Sequence, residues 1–66
     1  MSPDAARTLR MKRARLVEEA ADADRCADEF QAEGRGARLV NAWRSRADQL
    51  RDHARDIAHQ LEQAPR

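Results

Sequence analysis

In the second half of this chain Val40, Trp43, Ala47, Leu50, Ala54, Ile57, Leu61 and Ala64 follow one another at alternating steps of three and four. That rhythm places apolar groups along one stripe of a helix, at the spacing of a seam between two packed helices. The first half repeats it in Ala6, Leu9, Arg13, Leu16, Ala20, Ala23, Ala27 and Phe30, where Arg13 alone breaks the apolar rule. Folding the chain back at Arg35 brings together seam residues whose numbers total 70. The resulting layers are Phe30 with Val40, Ala27 with Trp43, Ala23 with Ala47, Ala20 with Leu50, Leu16 with Ala54, Arg13 with Ile57, Leu9 with Leu61, and Ala6 with Ala64. Several pair a bulky residue with a small one, which lets helices approach closely without leaving voids.

The punctuation agrees with this folding. Ser2 suits an N-cap, Pro3 the first helical position, and Asp4 the first turn, where the helix dipole favours a negative charge. Gly34 can take the left-handed conformation that ends a helix, Gly36 can open the next one, and Pro65 stops it. Only Thr8, Val17, Val40 and Ile57 are β-branched, so strands are not expected. The sequence therefore predicts an all-α antiparallel two-helix hairpin in a single domain over 1–66. Helix 1 covers about 3–33, the turn 34–36 and helix 2 about 37–64.

Charge favours the same arrangement. Residues 1–15 carry five basic and one acidic group (+4), residues 16–33 one and seven (−6), residues 34–51 five and one (+4), and residues 52–66 two and three (−1). The hairpin lays opposite signs side by side, whereas parallel helices would juxtapose like signs. Asp24 with Arg44 and Glu19 with His53 are the expected flanking pairs. Arg7, Arg10, Lys12, Arg13 and Arg15 crowd the start of helix 1, against the preference of its dipole. Residues 52–66 answer them poorly, which makes this segment the candidate contact for an anionic partner. Arg13, at a seam position, is expected to snorkel toward water.

Two rods cannot enclose Trp43 or Phe30 on all sides, and a chain of 66 residues has little core of its own. Association is therefore expected. Val17, Cys26, Leu39 and Ala58 lie beside the seam and, with Trp43, form the candidate self-association set. The simplest closed product is a homodimeric four-helix bundle, and a protein partner whose helices complete the bundle is the other solution.

Catalytic and metal chemistry find little footing. His53 and His59 are six apart and so do not share a helix face. Asp56 and His59 have a carboxylate-x-x-His spacing, but they point away from the seam without a companion glutamate. Cys26 is a single thiol with no cysteine–histidine constellation, which also excludes an internal disulfide. The Gly34-Arg35-Gly36 segment lacks the preceding strand of a phosphate loop. No enzyme activity, cofactor or metal is expected. Apolar runs never exceed two residues, and the chain starts Met1-Ser2-Pro3-Asp4, so neither a membrane span nor a signal peptide is expected and a cytoplasmic location is the default. The expected function is a non-enzymatic protein-interaction module: a small helical adaptor, regulator or inhibitor. The alternative is a nucleic-acid-binding regulatory hairpin that uses the basic start of helix 1.

Overall fold

The computed structural model describes residues 1–63 as two helices, α1 (Pro3–Ala32) and α2 (Ala37–Gln63). They pack along their lengths as an antiparallel hairpin with extents of 50 × 14 × 10 Å. Among the described residues there is no strand. Ala64, expected as the last seam position, and Pro65, expected as the stop, lie outside the described residues.

Each end of α1 is capped by the chemistry of its own residues. Ser2 is extended (φ −71°, ψ 156°), and its hydroxyl accepts the N–H of Ala5 at 3.1 Å. This satisfies a donor that would otherwise lack an intrahelical partner. At the other end Gly34 has φ 75°, a conformation that residues with a Cβ rarely adopt. The N–H of Arg35 donates to the Phe30 carbonyl at 2.9 Å and that of Gly34 to the Gln31 carbonyl at 3.1 Å. These are the two bonds of a Schellman motif. Such motifs usually carry an apolar contact between the corresponding side chains. Here the Arg35 guanidinium lies over the Phe30 ring, 4.9 Å from its centroid, and its Nε donates to Glu33 at 3.0 Å. The Gly36 carbonyl then accepts the N–H groups of Leu39 and Val40 at 3.1 and 3.3 Å, opening α2.

The seam is the one the spacing predicts. Leu16, Ala20, Ala23, Ala27, Val40, Ala47, Leu50, Ala54 and Ile57 are buried, while Ala6, Leu9, Phe30, Trp43 and Leu61 are half-buried. Leu16, Ala20, Leu50, Ala54 and Ile57 form one cluster with Leu9 and Leu61 packed on it, which unites the expected 16/54 and 20/50 layers. Arg13 is exposed, so its guanidinium leaves the seam for water.

The seam has two unlike edges. Ala6, Arg13, Ala20 and Ala27 with Val40, Ala47, Ala54 and Leu61 make one, largely small edge. Leu9, Leu16, Ala23 and Phe30 with Trp43, Leu50 and Ile57 make the other, largely bulky one. Phe30 and Trp43, assigned to separate layers by the mirror relation, also meet each other along the bulky edge. Their ring centroids are 6.2 Å apart at 58°.

Candidate interaction surface

The edges lead to two flanks that differ in how their charges are used. Beside the small edge, Arg51 pairs with Asp24, and the Arg44 Nη2 donates to Asp28 at 3.1 Å and to Gln31 at 3.0 Å. We call this the bridged flank. Its pairs correct the sequence expectation of Asp24 with Arg44, which does not form; the other expected pair, Glu19 with His53, lies on the opposite flank and does not form either. Helix side chains lean toward the N-terminus of their own helix. Across an antiparallel pair, long side chains therefore converge when their numbers total more than the 70 of the seam. Asp24 with Arg51 and Gln31 with Arg44 both total 75, whereas Asp24 with Arg44 totals 68 and diverges. The hydrogen bond from Asp24, reinforced by its charge, raises the Arg51 pKa above the ordinary arginine value. Both partners remain solvated, so the pairs fix alignment more than they add stability.

Beside the bulky edge no ion pair joins the helices among the described residues, and we call this the unbridged flank. It carries two adjoining depressions. Thr8, Met11, Lys12, Arg15, Leu16 and Glu19 line one, nearer the free end of the hairpin. Glu19, Asp22, Ala23, Cys26, Trp43, Arg46 and Leu50 line the other, nearer the bend. Glu19 lines both, so the depressions adjoin along a groove with a charged rim, whose free-end part is formed by α1 alone. Met11 and Arg46 were not singled out from the sequence. The available signal for Arg46 was its place seven residues after Leu39, on the same side of α2, whereas no such spacing marks Met11.

The five basic candidates do not share a face. Arg7, Arg10, Lys12, Arg13 and Arg15 are all exposed, and among the described residues none takes part in an ion pair. Arg10 and Arg13 line a depression with Ala14 and Val17, whereas Lys12 and Arg15 line the groove of the unbridged flank. At 100° per residue the five encircle α1 as a collar.

The self-association set is divided as well. Val17 stands seven residues before Asp24, and Ala58 seven after Arg51, so both belong to the bridged flank. Cys26 and Trp43 line the groove of the unbridged flank, and Leu39 precedes Arg46 by seven on the same side. They therefore do not widen one common stripe. Val17 is 51% exposed and Leu39 40%, while Cys26, Trp43 and Ala58 are half-buried.

Among the described residues no three His, Cys, Asp or Glu side chains are placed to hold a metal ion, and His59 contacts Gln63 at 3.1 Å instead. Among the described residues no helix is long and apolar enough to cross a membrane. The chain matches no family model, no curated protein and no solved structure, so its own surfaces carry the functional argument.

Proposed function

We propose that this chain is a non-enzymatic protein-interaction module, a small helical adaptor, regulator or inhibitor that works by presenting helix faces. One observation carries this reading: a single layer of two helices leaves its largest apolar groups incompletely covered. Trp43 and Phe30 are half-buried although they belong to the seam, and Met11, Val17 and Leu39 are 62%, 51% and 40% exposed. Partly covered aromatic and aliphatic groups beside polar rims are what protein partners use as anchors. The test is affinity capture from the source cells, with wild-type chain beside Trp43→Ala and Leu39→Asp variants whose helicity is checked by circular dichroism. A specific partner retained by the wild type and lost from both variants supports the reading. Equal recovery by all three chains contradicts it.

The second reading, nucleic-acid binding, is favoured by the collar of exposed cations free of ion pairs among the described residues. Lysine and arginine contacts to phosphates give binding that weakens steeply with salt. Titration with an RNA hairpin and a DNA duplex at two salt concentrations tests it. Salt-dependent binding lost in the Arg7→Ala/Arg10→Ala/Lys12→Ala variant supports this reading, and its absence in the wild type removes it.

A further inference from the structure

We propose that the unbridged flank is the docking face for a second copy of this chain, with the two hairpins side by side and their bends at the same end. This rests on the interaction-module reading and names the partner of that surface.

The bend-side half of the groove holds the half-buried Trp43 and Cys26, and Leu39 lies on the same side, 40% exposed. Toward the free end the depression is formed by α1 alone, with Thr8, Met11 and Leu16 beside Lys12, Arg15 and Glu19. The aromatic area of this flank, Trp43 with the exposed Leu39 on the same side, therefore lies near the bend. A two-fold axis along the length of the hairpin brings that area against itself. Reversing one copy would instead set the Trp43 and Leu39 of the two copies at opposite ends of the interface.

The charged rim fits the same axis. It places α1 of one copy over α2 of the other, so residues whose numbers total about 70 come level, as they do within one hairpin. Glu19 and Asp22 then approach Arg46 of the second copy, and Lys12 and Arg15 approach its Asp56. Among the described residues Glu19, Arg46, Lys12, Arg15 and Asp56 take part in no ion pair within the chain, and Asp22 pairs only with Arg25 in its own helix. Opposite charges left unpaired around an apolar centre suit a second copy, which supplies both signs at once. The bridged flank offers less, because its arginines already hold Asp24, Asp28 and Gln31. Val17 and Ala58 consequently fall outside this interface.

The experiment measures solution mass by sedimentation equilibrium alongside Trp43 emission over a concentration series. The wild type should reach twice the chain mass, with emission shifting to the blue as Trp43 loses water. Arg46→Glu, and separately Glu19→Arg/Asp22→Arg, should each give a monomer with red-shifted emission and unchanged helicity. Combining all three changes in one chain should restore the dimer. Val17→Glu/Ala58→Glu, on the other flank, should leave it intact. A wild-type chain that stays monomeric overturns the proposal, and so does a dimer that survives Arg46→Glu or dissociates with Val17→Glu/Ala58→Glu. A triple variant that stays monomeric overturns the bends-together arrangement, since reversed copies would still oppose like charges. A monomeric chain that nonetheless captures a protein through Trp43 and Leu39 removes self-docking and spares the broader reading. Loss of that capture together with an intact dimer does the reverse.

Discussion

The bend half and the free half of this hairpin hold together by different means. Near the bend, Ala23, Ala27 and Ala47 are almost wholly enclosed because small side chains let the helices come close, and Phe30, Trp43 and Arg35 close the end. Toward the free end the helices are held by the aliphatic cluster of Leu16, Leu50 and Ile57, with Leu9 and Leu61 at its edge. Charge follows the same division: the cross-helix pairs run from Asp24 with Arg51 toward the bend, whereas the collar of cations at the free end is left to solvent. A hairpin can thus secure its alignment near one end and leave the other end chemically available.

Substitutions in each half should break this contrast in different ways. Ile57→Ala should have the largest effect, destabilising by about 2–5 kcal/mol as it removes buried aliphatic volume. Chemical denaturation checks this, with amide exchange accelerating first at the free end. Ala27→Leu should cost about 1–3 kcal/mol by the opposite route, since its side chain is 0% exposed and extra volume forces the helices apart. Its exchange signature should centre on the bend half. Gly34→Ala should lower stability by about 1–2 kcal/mol, because an L side chain is strained at φ 75° although nothing lies within 4 Å of the added Cβ. Thermal unfolding reads that loss. Asp24→Asn should have the smallest effect, and high salt should abolish the difference from wild type, because the pair it breaks is solvated.

Much of the fold was legible in the sequence because its signals are local or periodic. The three-four spacing marked the seam, Ser2 and Gly34 marked the ends of α1, and the exposed Arg13 followed from its long stem. The ion pairs were not legible in the same way. Seam spacing gives the level of each residue but not the lean of its side chain, so Asp24 was matched with Arg44 one heptad short of Arg51. The candidate surface was read in part for a related reason. Adjacency to the seam does not say which side a residue takes, and only the hairpin's geometry separates Val17 and Ala58 from Cys26, Leu39 and Trp43. Met11 was not among the candidates because neither core nor flank periodicity selects its position.

The alignment of α1 against α2 underlies both flanks, and a distance between spin labels at positions 17 and 58 tests it most directly. The labels are placed in a Cys26→Ser background and diluted with unlabelled chain so that only intramolecular pairs are read. Like Asp24 and Arg51, these positions total 75, so the account requires a short separation, and a longer one when the second label moves fourteen residues to 44. A shorter distance from 17 to 44 than from 17 to 58 would contradict the alignment. A separation near 62 Å between 17 and 58, the span of 41 residues in one unbroken helix at about 1.5 Å each, would contradict the hairpin itself.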